Sequence, residues 1–169
     1  MNDDLTISEW SDSNLRWSDL MGFFDEHKDG YSDVVQGYDQ RDSRVLVATI
    51  DNGIVGMLRL IVILIGPGNN LPAVKVDGRE LLQAKVMKFV VLPAFRRRGI
   101  GVRLQKSAIG LARSLGCYQL ASFSYSDRVE NHMLKLNMGF AVQPEHSGEH
   151  HGLYFIMPLQ PDPPEGRED

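Results

Sequence analysis

Cysteine is nearly absent from this 169-residue chain: Cys117 stands alone, which excludes an intrachain disulfide and any cysteine-cluster metal site. Nothing here asks for an oxidising compartment. No run of eighteen apolar residues occurs, so no segment reads as a membrane-crossing helix. The opening "MNDDLTISEWSD" is acidic where a secretory signal is basic and then apolar. A soluble, cytoplasmic protein with no membrane partner is the expectation. Positive charge is outnumbered, 18 Lys and Arg against 22 Asp and Glu for a formal net charge of -4, so the whole chain is no polycation made for DNA or RNA. Two nucleotide motifs are missing as well. There is no G-x-x-x-x-G-K-S/T segment, and the dinucleotide fingerprint is broken because Arg96 stands where its first glycine belongs.

What is present is unevenly spread. From Lys75 to Arg113 there are ten basic and two acidic side chains, which leaves eight basic and twenty acidic ones elsewhere. A local basic patch on an acidic chain suits a compact anion better than a long phosphate backbone. A nucleic-acid reading would rest on Arg96, Arg97, Arg98, Arg103 and Arg113, but no aromatic stacking platform accompanies them.

The length suits one domain over residues 1–159, followed by the proline-rich acidic tail "QPDPPEGRED", expected to be disordered. Leu5 and Ile7 open a strand. From Asn14 to His27, Leu15, Leu20, Phe23 and Phe24 recur at helical spacing, and Asp29-Gly30 closes the helix. "YSDVVQGY" reads as a second short helix or an irregular lid. "RVLVATI" and "IVGMLRLIVILI" flank Asp51-Asn52-Gly53 and predict a long antiparallel hairpin. "GPGNN" interrupts it, and "LPAVKVDGRELLQ" is an excursion or the approach to another strand. "AKVMKFVVL" is a strand stopped by Pro93. A helix then starts at the glycines, with Ile100, Leu104, Ala108, Leu111 and Leu115 on its buried stripe and Gly116 as its stop. The strand "CYQLASFSY", a short helix around "ENHMLKLNM", the step "GFAVQ" and the strand "GLYFIMPL" complete the order. The histidines of "EHSGEHHG" read as a solvated loop in preference to a metal centre, since no ligand spacing is backed by ordered structure.

The strand-to-helix turn carries the chemistry. Backbone amides at a helix start have no intrahelical partners and point one way, and with the helix dipole they make an anion site. Gly99 and Gly101 leave room for a diphosphate and can adopt the backbone angles such a nest needs. The alternative is that they merely tighten a turn. Arginine in this position opposes the dipole and is easier to justify if an anion arrives.

Here the sequence resembles a family. "VVLPAFRRRGIGVRL" is similar to the acyl-coenzyme A segment of the GCN5-related N-acetyltransferases (GNAT), whose signature of Gln or Arg, two residues, Gly, one residue, Gly or Ala falls on Arg96, Gly99 and Gly101. The similarity continues through "SLGCYQLASFS" and "NHMLKLNMGF", and from about Arg44 to Leu159 the element order suits the family. The resemblance implies an α/β fold of the α+β type: a mixed, mostly antiparallel central sheet, flanked by helices, that splays beside the turn. It implies acetyl-CoA as co-substrate. The pyrophosphate would lie on the amides of Arg97, Arg98, Gly99, Ile100, Gly101 and Val102. Pantetheine would run along the backbone of Phe89, Val90 and Val91. Arg97 and Arg98 would add charge to phosphate or point to solvent.

The implied reaction is direct acetyl transfer to a primary amine of a small molecule or peptide, with the Val91 amide donating to the thioester carbonyl. Cys117, opening an apolar strand, reads as a buried structural thiol and not a nucleophile. Lys135 occupies the place where many relatives have tyrosine; it is either a desolvated proton donor or an ordinary exposed lysine, and the exposed reading is preferred. Tyr125 is the preferred donor, against a surface or capping role. Glu80 and Glu130 are candidate bases, each also readable as a surface charge. Asn131 holds pantetheine or a water, or it caps its helix. Trp10, Trp17, Phe23 and Phe24 line an acceptor pocket or pack a helix on the sheet. Asp19, Asp25, Glu26 and Asp33 would attract a cationic amine, although solvated helix faces explain the same charges. A non-catalytic acyl-CoA sensor is the alternative to an enzyme, and a homodimer is left open.

Overall fold

The computed structural model describes residues 4–27, 31–147 and 150–159. In chain order the elements are β1 (Thr6–Trp10), α1 (Trp17–Glu26), β2 (Gln40–Ile50), β3 (Gly53–Leu64), β4 (Lys75–Val76), β5 (Arg79–Glu80), β6 (Leu82–Val91), α2 (Ile100–Ser114), β7 (Gln119–Tyr125), α3 (Val129–Asn137), β8 (Ala141–Ser147) and β9 (His150–Pro158). The proposed tail and the Asp29-Gly30 stop lie outside the described residues.

Apolar residues on both faces put β3 in the sheet interior, buried from Val55 to Leu64. The seven strands run in the order β1-β2-β3-β6-β7-β9-β8, and every neighbouring pair is antiparallel except β6 with β7. That parallel pair needs a crossover, which α2 supplies. Alternation along the strands sorts two cores. Leu58, Leu60, Ala84, Val86 and Leu120 pack with Ile100, Leu104, Ala108 and Ala112 of α2. On the opposite face, Val45, Val47 and Met57 pack with Leu20, Phe23 and Phe24 of α1.

The turns follow their chemistry. Asp51 and Asn52, with φ of 48° and 63°, close the β2–β3 hairpin, and Asp77-Gly78, at 50° and 75°, close the small β4–β5 hairpin in the excursion. Other elements depart from expectation. The Asn14 side chain accepts the Arg16 amide at 2.9 Å, so this segment turns and the helix starts only at Trp17. Leu15 is therefore exposed instead of lying on the apolar stripe. "YSDVVQGY" is irregular, not helical. On α2 the fully buried positions are Ile100, Leu104, Gln105, Ala108 and Ala112, while Leu111 and Leu115 are only partly buried. The histidine-rich stretch belongs largely to the β8–β9 hairpin, not to a loop. Its edge strand β8 tolerates Pro144 because an edge leaves one row of amides unused. Among the described residues, no helix is long and apolar enough to cross a membrane.

Gly56 marks the closest backbone approach of β3 to β6: a Cβ there would lie 2.7 Å from the Val90 carbonyl oxygen and 3.4 Å from Leu104 Cδ1. Backbone cannot rotate away as a side chain can. Gly56→Val should therefore cost about 2 kcal/mol or more, read as a lower urea midpoint. An unchanged midpoint would mean that the two strands separate freely.

Candidate active site

β6 ends in a single 3-10 turn, Pro93–Phe95, after which Arg96 is extended and Arg97 and Gly99 are left-handed, with φ of 62° and 78°. The Arg103 amide bonds to the Gly99 carbonyl at 3.0 Å, so the amides of Ile100, Gly101 and Val102 precede the first helical bond of α2. No acidic residue sits in the first turn and no side chain caps it. The positive end of the helix is thus uncompensated.

The two signature glycines serve different ends. A Cβ on Gly99 would meet nothing within 4 Å, and the residue is needed for its left-handed backbone. A Cβ on Gly101 would lie 3.0 Å from Leu134 Cδ1 and 3.2 Å from Phe89 Cζ, so this glycine lets α2 approach α3 and β6. Clearance for a diphosphate is not what requires it. The arginines divide similarly. Arg96 Nε donates to the Val91 carbonyl at 3.0 Å, Arg103 donates to the Leu5 carbonyl at 3.1 Å, and the Arg98 guanidinium sits 5.4 Å above the Phe95 ring.

Beside this turn the sheet parts. β6 and β7 pair only from Gln83–Gln119 to Val86–Ser122. The register of β6 against β3 slips between Val86 and Lys88, leaving Met87 as a bulge. Beyond it, the Leu92 amide donates to Val55 of β3 at 2.9 Å. Backbone groups of an antiparallel strand alternate in direction, so Val90 also faces β3, while Phe89 and Val91 face the gap. Of the three backbone positions suggested by resemblance, Val90 is therefore already engaged.

The floor of the gap on the α2–α3 face is polar. Lys135 Nζ donates to Ser122 Oγ at 2.8 Å, in a site where the side chain is only 1% exposed, and lies 4.9 Å over the Phe155 ring. The expected exposed helix lysine is thus a buried one: the short α3 turns it onto the strand. Burial pushes its pKa down to about 8. Asn131 Nδ2 donates to Ser124 Oγ at 3.0 Å while its buried Oδ1 has no partner, and it does not cap α3, whose N-cap is Arg128. Gln105 is fully buried with neither amide atom bonded. Sequence reading passed over Gln105, though a glutamine one turn after Gly101 was a usable signal.

The remaining candidates scatter. Tyr125 is half-exposed at the end of β7, its ring edge-on to Phe123 at 5.3 Å. Glu80 is exposed on the small hairpin, 3.8 Å from Lys75, and precedes β6, whose first residue Leu82 is already roughly 30 Å along the strand from Val91 at about 3.3 Å per residue; that puts it at the wrong end for a base. Glu130 is exposed in the first turn of α3, where it complements the helix dipole. Cys117 is buried and its pKa is pushed up to about 11 by burial, as suits an inert thiol. Phe23 and Phe24 are core residues under α1. Asp19 pairs with Arg16 at 2.8 Å, and Asp25 and Glu26 are solvated. On the α1 face, Lys85 Nζ donates to the Tyr38 hydroxyl at 2.7 Å and lies 5.9 Å over the Tyr154 ring.

A turn of this kind beside parted parallel strands defines a class. The model of the Acetyltransferase (GNAT) family matches residues 6–140, and the chain belongs to that family. No curated protein matches the sequence significantly. Among solved structures, Arabidopsis thaliana NAA60 in complex with acetyl-CoA is 16% identical, with 90% of this chain and 99% of that chain covered at a TM-score of 0.63. The ribosomal-protein-S18-alanine N-acetyltransferase of Escherichia coli is 15% identical, with 95% and 97% covered at 0.61. A GNAT family acetyltransferase from Elizabethkingia anophelis with acetyl-CoA bound is 16% identical, with 93% and 99% covered at 0.57. At these identities the likeness is one of fold.

Lys135 yields a signed prediction. Its folded-state pKa of about 8 lies below the ordinary 10.5, so the burial penalty is complete below about pH 8. It fades as pH rises from there and is gone above about 10.5. The shift corresponds to something on the order of 3 kcal/mol, less about 1 kcal/mol for the hydrogen bond to Ser122. Lys135→Met should therefore be more stable than the parent at pH 7 by about 2 kcal/mol, with the gain vanishing above pH 10. Lower stability of the variant at pH 7 would show that the ammonium is fully compensated.

Proposed function

We propose that the protein transfers the acetyl group of acetyl-CoA to a primary amine of a small molecule or peptide, and that the parting of β6 from β7 beside the α2 turn is where transfer occurs. The observation that carries this reading is that the backbone groups of Phe89 and the Val91 amide face the gap beside the helix start and not β3. Acetyl-CoA supplies the acetyl thioester. The amides of Arg97 to Val102 and the positive end of α2 hold its pyrophosphate. The backbone of Phe89 bonds the pantetheine amides as a missing strand would. Arg96 occupies the Val91 carbonyl, so the Val91 amide remains to bond the thioester carbonyl, where negative charge develops. The orphan Oδ1 of Asn131 accepts a donor from pantetheine or from a bound water.

The departing sulfur needs a proton. Lys135 is suited to give it, because a donor near pKa 8 is matched to a thiol of ordinary pKa about 8.5, and the proton that the attacking nitrogen sheds on acylation restores the ammonium. Tyr125 approaches from the opposite face, as the alternation along β7 dictates. Glu80 has no part in this reading. The amine arrives on the α1 face, past the irregular segment held down by Arg59, which bonds the Ser32 carbonyl and lies 4.6 Å over Tyr31.

Two measurements test this. Calorimetry should show acetyl-CoA binding well above adenosine monophosphate, with the affinity lost in Gly99→Asp, which strains a left-handed backbone and adds a negative charge at the nest. Unchanged affinity in folded G99D would remove the site. Thiol release across an amine panel should then fall by about 10²-fold or more in kcat for K135M, with Y125F closer to the parent. The reverse order would assign the proton to Tyr125, and no acceptor-dependent release in the parent would leave an acyl-CoA sensor.

A further inference from the structure

A cavity of about 330 Å³ lies on the α1 face at the outer side of the sheet, where the end of β1 and the start of β2 meet the chain on either side of α1. Its walls combine two features. Trp10, Trp17 and Tyr31 supply aromatic surface, the last two edge to face at 5.3 Å. Glu9, Asp12, Asp33 and Asp42 supply four carboxylates against a single guanidinium, Arg44. Arg44 bonds Glu9 and Asp42 at 2.7 and 2.8 Å, so it is shared between two of the four carboxylates of the lining. The same rings already attract cations from within the chain, with Arg16 5.5 Å from the Trp10 centroid and Arg59 4.6 Å from that of Tyr31. The partly buried Ser43 hydroxyl also lies on the lining, beside Tyr31.

We propose that this cavity binds an organic cation, a primary ammonium or guanidinium head on a short aliphatic stem. The aromatic rings take the stem and one face of the charge. The carboxylates take its N–H donors, and Ser43 Oγ supplies the acceptor that a head of several donors requires. The volume is that of a small-ligand site at the lower end of the usual range. An anion would meet four carboxylates, and a neutral ligand would leave them unpaired. The site is distinct from the thioester gap: β3 and β6 lie between β2 and that gap, roughly 12 Å at about 4.8 Å per strand. It does not depend on acetyl transfer being the activity.

Trp10 and Trp17 are the only tryptophans in the chain, so intrinsic fluorescence reads this cavity directly. Titration with n-butylammonium and n-butylguanidinium chlorides, against n-butanol and matched sodium chloride, should give a saturable emission change for the two cations alone. Saturating acetyl-CoA should leave the midpoint unchanged. Asp12→Asn with Asp33→Asn, both at exposed positions where folding is not at risk, should raise the midpoint at least tenfold with an unaltered thermal transition. An equal response to n-butanol, no saturable response, or an unchanged midpoint in the double variant would each overturn the assignment.

Discussion

Backbone polar groups removed from water have to be bonded, and the parting of β6 from β7 leaves a row of them without a neighbouring strand. The Met87 bulge starts it, by letting β6 bend away after Val86 while still pairing with β3. Everything else at the site is arranged around that gap. Gly101 lets α2 come close enough to pack on Phe89 and Leu134, which brings the helix start to the open end of the gap. Arg96 quiets one splay-facing carbonyl, that of Val91. A ligand that is itself a chain of amides ending in a diphosphate answers both requirements together, amide to amide and phosphate to helix end.

The interior of the α2–α3 face is costly in another way. A lysine, a glutamine and an asparagine lie under the gap with few or no partners, where aliphatic side chains of similar volume would pack at lower cost. Natural cores break local rules of this kind chiefly at functional sites. Lys135 is the clearest case: desolvation strips it of part of its affinity for the proton it carries, and that is also what makes a lysine useful as an acid near neutral pH.

Much of this was legible in the chain itself. The β2–β3 hairpin announced itself by Asp51-Asn52-Gly53 between apolar runs, and the α2 turn by Pro93 and the glycines, because turn chemistry is local. What escaped depends on distant partners. Nothing near Lys135 says that it faces Ser122, thirteen positions earlier; an alternation count on β7 and the shortness of α3 would have been needed together. The Met87 bulge was hidden because a one-residue slip leaves composition unchanged. Glu80 was misplaced by reading proximity in sequence as proximity in space, when an extended strand carries the chain about 3.3 Å further with each residue. The histidine-rich hairpin was missed because polar residues on an edge strand lack the apolar alternation that marks a half-buried one.

The uneven charge of the sequence becomes an uneven charge of the molecule. The basic stretch from Lys75 to Arg113 folds into the β4–β5 hairpin, β6, the turn and α2, and Arg96, Arg97, Arg98 and Arg103 lie in the turn and first helical turn, at a helix end that is already positive. Like charges gathered there oppose one another and the dipole, and the arrangement relaxes when a dianion enters. The acids lie largely elsewhere, several of them along β1, α1 and the start of β2. With opposite potentials at two separated places on one sheet, an anionic donor and a cationic ligand are drawn to different surfaces. Each then arrives without crossing the field that repels it.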